Sequence, residues 1–152
     1  MDIRFCGGAR NVTGSQFLLS ANGSRVLIDC GLFQGRREES YERNEHFLYD
    51  PATLNAVLVT HAHMDHSGNV PNLIRQGYTG PVYATEPTVE LCTFMLKDSA
   101  YLQERDILWV NKIRAKHRQP PMHVLYSARD VERAMDHFRP CDYDTAYEVA
   151  DG

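Results

Sequence analysis

At 152 residues the chain has the size of one domain, and 43% hydrophobic with 24% charged residues is the composition of an ordinary soluble globular protein able to bury a core. A net charge of −4 argues against a nucleic-acid module that works by a basic surface, although a bound metal pair would put positive charge where a phosphate must sit. Cys6, Cys30, Cys92 and Cys141 form no C-x-x-C pair, no leader-type apolar segment follows Met1, and no run has the length of a membrane span, so free thiols and a cytoplasmic protein are expected.

Residues 3–6 begin as a β-prone stretch and run into the glycine-rich turn Gly7-Gly8-Ala9-Arg10-Asn11. Apolar runs of strand length follow at 15–20 and 25–29, joined by Asn22-Gly23, the strongest short hairpin signal. The chain therefore opens as an antiparallel meander. Residues 34–52 are polar and aperiodic, a long connection with a short helix. Ala56-Val57-Leu58-Val59-Thr60 reads as a buried strand ending at the first histidine.

A helix is expected over residues 69–76, with Asn69 as N-cap, Pro71 in the first turn and Gly77 past the end. Residues 81–84 form another short strand. From Glu86 to Lys116 the spacing predicts a long helix, with Val89, Leu91, Cys92, Met95 and Leu96 as one apolar stripe and Tyr101, Leu102, Ile107 and Leu108 continuing it. Pro120-Pro121 stops the pattern, Ser127 caps a last helix running to Phe138, and Tyr147-Glu148-Val149 reads as the start of one more strand. Interleaved strands and helices after a hairpin start give a mixed α/β (α+β) class.

The chemistry concentrates at His61, His63, Asp65 and His66, directly after the buried strand. Residues two apart on extended chain share a side, so His61 and His63 can grip one ion, and a turn after His63 swings Asp65 and His66 toward a second. Imidazole and carboxylate are donors of the zinc type. Two ions about 3.5–4 Å apart form a clamp that acidifies water and stabilises a developing oxyanion, with Asp65 placed to orient that water as well as ligate. A helix starting near Asn69 would aim its N-terminus at the site and favour an anionic substrate. Asp29, at the end of the Val26-Leu27-Ile28 strand, either caps a turn or orients a ligating histidine, and the residues leave both open. His46, His117, His123 and His137 lack neighbours that would complete a ligand set. The basic run Lys112-Arg114-Lys116-His117-Arg118 reads first as a solvated helix end and second as a nucleic-acid patch.

Thr60-His61-Ala62-His63-Met64-Asp65-His66-Ser67-Gly68 resembles the signature of the metallo-β-lactamase superfamily. Gly8-Ala9-Arg10-Asn11-Val12-Thr13-Gly14-Ser15, Leu27-Ile28-Asp29-Cys30-Gly31-Leu32-Phe33-Gln34-Gly35 and Lys97-Asp98-Ser99-Ala100-Tyr101-Leu102-Gln103 resemble its β-CASP branch of RNA-processing nucleases. The resemblance implies the N-terminal part of an αββα sandwich across residues 1–152. It implies one zinc on His61 and His63 and another on Asp65 and His66, with Asp29 supporting the loop. It also implies hydrolysis of RNA phosphodiesters by zinc-activated water. Family members continue to a third metal histidine after a stretch resembling Tyr147-Glu148-Val149-Ala150-Asp151-Gly152, then to a bridging aspartate and the β-CASP insert, none of which these 152 residues contain. Two ligands per ion fall short of the three that catalytic zinc takes. The isolated chain is therefore expected to hold metal weakly, to be impaired in turnover, and to leave a sheet face or edge for a compensating contact such as a homodimer. A thioesterase or lactonase of the same superfamily, and a non-catalytic module binding RNA or protein, are the competing functions.

Overall fold

A computed structural model describes residues 1–151; Gly152, the last residue of the expected domain, lies outside the described residues. Strands β1 (Asp2–Gly7), β2 (Gln16–Ala21) and β3 (Ser24–Ile28) form the antiparallel meander. Strands β4 (Ala56–Leu58), β5 (Val82–Thr85) and β6 (Phe138–Cys141) extend it in parallel, giving one mixed sheet in the order β1 to β6. Asn22 and Gly23 both take positive φ, +48° and +87°, as a two-residue turn matched to strand twist requires.

Sheet register explains where the core sits. Leu18, Leu27, Val57, Val82 and Phe138 face one another across β2 to β6, and all are buried. Against the core pack Leu73 from α3 (Val70–Arg75), Cys92, Leu96 and Ala100 from α4 (Glu86–Lys116), and Val131 and Ala134 from α5 (Ala128–His137). Each large side chain so buried contributes about 1.5–3 kcal/mol. The neighbouring register row, Phe17, Ile28, Leu58 and Tyr83, is only half-buried, and Phe5 at its β1 end is exposed.

Several expectations are modified. The 34–52 connection holds α1 (Arg37–Glu45) and a single 3-10 turn, Pro51–Thr53. The central strand is shorter than expected, ending at Leu58, and Thr60 is exposed. The α4 stripe follows Thr88, Cys92, Leu96 and Ala100, with Val89 and Met95 partly buried beside it. Leu91, Tyr101, Leu102 and Leu108, assigned to that stripe from sequence, instead face solvent. Residues 147–149 form no strand; the sixth strand is Phe138–Cys141, and its Pro140 is tolerated because β6 is a sheet edge that need not donate on both sides.

Candidate metal centre

The loop after β4 bends at His61 and Ala62 instead of staying extended, with Ala62 buried, His61 half-buried and His63 exposed, and it leaves the two histidine ring centroids 4.7 Å apart. A four-residue helix, α2 (Met64–Ser67), supplies the expected turn. It swings His66 back until its ring lies 4.1 Å from that of His61, and places Asp65 Oδ2 3.6 Å from His66 Nε2. Ser67 locks this turn, its hydroxyl donating to the carbonyl of Ala62 at 2.9 Å.

Beneath the histidines lies Asp29, only 2% exposed and at φ +60°. Its Oδ1 accepts from the Thr60 amide at 2.8 Å and the Thr60 hydroxyl at 2.9 Å, while Oδ2 lies 2.8 Å from His66 Nδ1. The Thr60 hydroxyl has one proton, and the carboxylate takes it. At 3.0 Å from that oxygen, His61 Nδ1 must then be the donor. Both His61 and His66 thus carry a proton on Nδ1, which leaves Nε2 as the ring nitrogen available to a metal. Asp29 does not cap its own turn, since the Gly31 N–H goes to the Ser15 carbonyl; its carboxylate meets Thr60 and His66 instead.

A backbone zipper holds Asp29 in this place. Cys30 N–H donates to the His66 carbonyl, Leu32 N–H to that of Met64, and Ser15 N–H to that of Asp65, at 2.8 to 2.9 Å. So close an approach requires Gly31, where a Cβ would sit 1.7 Å from the Asp65 oxygen. Gly31 and Ser15 had no role assigned from sequence; a Gly beside the strand-end Asp was the available signal. Burial pushes the Cys30 thiol well above its ordinary range, and its charge-bearing form is further disfavoured by Asp29.

One expectation fails here. The N-terminus of α3 does not open toward a ligand: Asn69 N–H is taken by the Cys30 carbonyl, and Val70 through Leu73 are buried. Asn69 makes no side-chain cap and donates its amide to the Asn44 carbonyl at 3.0 Å. His46, His117 and His123 are exposed, and His137 bonds the Gly80 carbonyl at 2.9 Å, so none joins the cluster. Leu32, Met64, Met95, Leu102 and Gln103 line a groove of about 300 Å³ that reaches the start of α2.

The donor chemistry fits zinc, with His63, His61, His66 and Asp65 linked in a chain of pairwise contacts. The donor count does not complete a site: among the described residues no three His, Cys, Asp or Glu side chains converge on one ion.

Comparison with known proteins follows the same lines. The sequence profile of the metallo-β-lactamase superfamily matches residues 9–140. Ribonuclease TTHA0252 of Thermus thermophilus is 42% identical over 137 residues, covering 90% of this chain and 27% of that protein. Transcription termination factor FttA of Methanocaldococcus jannaschii is 35% identical over 148 residues, covering 97% of this chain and 21% of its own length. The chain thus spans about a quarter of the length of the curated relatives it matches. A solved metallo-β-lactamase from Cronobacter sakazakii superposes over 62% of this chain and 36% of its own, at 22% identity and a TM-score of 0.48.

Proposed function

The chain belongs to the metallo-β-lactamase superfamily, and on that premise we propose that it is the N-terminal portion of a zinc-dependent hydrolase of the β-CASP type that cleaves RNA phosphodiester bonds. The observation carrying this reading is the contact cluster of His61, His63, Asp65 and His66, tied through Asp29 and Thr60 to the end of β3. His61 and His63 would hold one zinc and Asp65 and His66 a second. When bound, such a pair supplies a Lewis acid and a water acidified to near-neutral pKa.

The chain's own residues prepare for that chemistry. Asp29 and Thr60 fix the His61 and His66 tautomers before metal arrives, so no proton rearrangement is needed on binding. Asp65, on the first turn of α2, would orient the attacking water as well as ligate, which is its catalytic role in this reading. With two donors per ion from this loop, the 152 residues by themselves bind zinc weakly and turn over slowly, and further ligands belong to other parts of the parent protein. RNA as substrate is supported by the name of the 42% identical relative, a ribonuclease. A cytoplasmic location is supported by the four unpaired thiols. No helix among the described residues is long and apolar enough to cross a membrane.

Zinc affinity measured by competitive titration against a weak chromophoric chelator tests the metal half of this reading. Weak binding by the wild-type chain that His63→Ala weakens further supports it; equal affinity in both overturns it. Single-turnover assays with chain in excess over single-stranded RNA, a thioester or a lactone test the substrate. Ester cleavage with RNA intact moves the protein to the thioesterase or lactonase class. The missing third ligand favours one other reading, a non-catalytic RNA-binding module, which requires RNA affinity to survive both His63→Ala and chelation.

A further inference from the structure

Strand β1 ends the sheet, hydrogen-bonded to β2 on one side and to no strand among the described residues on the other. A free edge offers a row of backbone donors and acceptors to an extended segment of matching pattern. Asp2 through Phe5 are exposed on both faces, Ile3 at 48% and Phe5 at 62%. Ile3 and Phe5 lie opposite Leu19 and Phe17 of β2, so they continue the half-covered face of the sheet. Asp2 and Arg4 alternate onto the other face. Among the described residues neither has an ion-pair partner.

The order of residues along this edge identifies the occupant. Two antiparallel copies of one strand in a continuous sheet are related by a two-fold axis perpendicular to it. Directly opposed residues both turn their backbone groups toward the partner or both away, and the two states alternate along a strand. Opposed positions are then both odd or both even, so the axis falls on a residue and never between two. With the axis on Ile3, Asp2 meets Arg4 of the second copy, Arg4 meets Asp2, Ile3 meets Ile3, and Phe5 meets Met1. An axis on Asp2 opposes two carboxylates, and an axis on Arg4 opposes two guanidiniums. An axis on Phe5 sets Arg4 against Cys6 and crosses the bulge between Phe5 and Gly7. Only the axis on Ile3 places opposite charges together on one face and apolar side chains together on the other.

We propose that β1 pairs antiparallel with β1 of a second copy of this chain, with the two-fold axis at Ile3. The two sheets then run on as one, and the half-covered faces of both copies join through Ile3 and Phe5. On the opposite face a carboxylate–guanidinium pair lies to each side of the axis. The proposal is independent of the hydrolase reading, since it uses no residue of the metal loop.

Sedimentation equilibrium of the 152-residue chain, with nothing added before Met1, tests it from micromolar to millimolar concentration. The expected result is a reversible dimer. Asp2→Arg sets like charges opposite Arg4 on both sides of the axis and should weaken dimerisation about tenfold or more. Adding Arg4→Asp restores the opposite-sign pairs and should return most of the affinity. Both positions are exposed, so the fold is expected to persist, and circular dichroism checks that it does. Register has its own readout. Opposed Cα atoms lie about 4.5–5.5 Å apart, within disulfide reach, and only the residue on the axis opposes itself. Ile3→Cys should therefore cross-link the dimer on mild oxidation where wild type and Arg4→Cys do not. A monomer at all concentrations overturns the proposal. So does a dimer indifferent to Asp2→Arg, or one cross-linked by Arg4→Cys and not by Ile3→Cys. A dimer broken instead by substitutions at Trp109 on α4 or Tyr83 on the half-covered sheet face overturns it as well.

Discussion

Asp29 Oδ2 lies 2.8 Å from His66 Nδ1, and the same carboxylate accepts both the amide and the hydroxyl of Thr60. One side chain thereby sets the orientation of a histidine on α2 and the conformation of the loop leaving β4. Asp29→Asn keeps a residue tolerant of positive φ but turns an amide donor or a single acceptor toward groups that all donate. Zinc affinity should fall about 10- to 100-fold, the usual cost of losing a carboxylate behind a ligating histidine. Competitive titration against a chromophoric chelator measures it. Unchanged affinity would remove Asp29 from the metal site and leave it a loop anchor.

Gly31→Ala tests the close approach of the loop after β3 to α2. Its Cβ would fall 1.7 Å from the Asp65 carbonyl oxygen, which is backbone and cannot step aside without breaking the zipper. A loss of about 3 kcal/mol or more is expected. Gly23→Ala is the contrast: φ is +87° there, unlike at Gly31, and nothing lies within 4 Å of the added carbon. That change should cost only the backbone term, about 1 kcal/mol. Urea midpoints of the two variants separate steric from conformational cost.

These two sites also show what was legible in the sequence. The order of elements, the hairpin at Asn22-Gly23 and the span of α4 follow from local pattern, and the structure has them. The closeness of the His61 and His63 rings is legible from their spacing, but the chain bends at His61 and Ala62, so extended-chain alternation is not what sets it. What local pattern lacks is the partner. Leu91 and Leu108 look like core residues because periodicity marks an apolar side without saying what covers it. Strand β6 was missed because Phe138-Arg139-Pro140-Cys141 has no alternation and contains a proline that only an edge position permits. Gly31 reads as a turn residue until the carbonyl it admits, 34 positions along the chain at Asp65, is in view.

Ser127 and Asp130 form a reciprocal cap at the start of α5, the carboxylate accepting the Ser127 amide at 2.9 Å and its hydroxyl at 2.7 Å. Ser127→Ala should cost about 1 kcal/mol at neutral pH, read from urea denaturation. Burial pushes the Asp130 carboxyl upward. The hydrogen bonds from Ser127 and the nearby Arg75 and Arg133 outweigh it and hold the group below its ordinary value. A carboxyl lowered in the folded state stabilises above its unfolded pKa of about 4. The stability difference between wild type and Asp130→Asn should therefore be full at neutral pH and vanish as pH falls through the depressed folded value. A difference that grows on acidification would contradict the cap.

Thiol labelling tests whether the floor of the metal loop opens with the core or apart from it. Cys30 and Cys92 are fully buried, whereas Cys6 and Cys141 are partly exposed. Burial also raises all four thiols above the ordinary value and so slows them further. In native protein at mildly alkaline pH, a disulfide reagent should label Cys6 and Cys141 first. Cys30 and Cys92 should follow together, at a rate set by global unfolding and accelerated equally by urea. Cys30 joins the Asp29 strand end to His66 through its own backbone amide, so its protection reports on that junction. If Cys30 reacts ahead of Cys92, the strand end and α2 separate while the core stays closed. The positions of Asp29 and His66 would then depend on a local equilibrium, not on the fold as a whole. In that case zinc, by bridging the loop, should slow Cys30 without affecting Cys92.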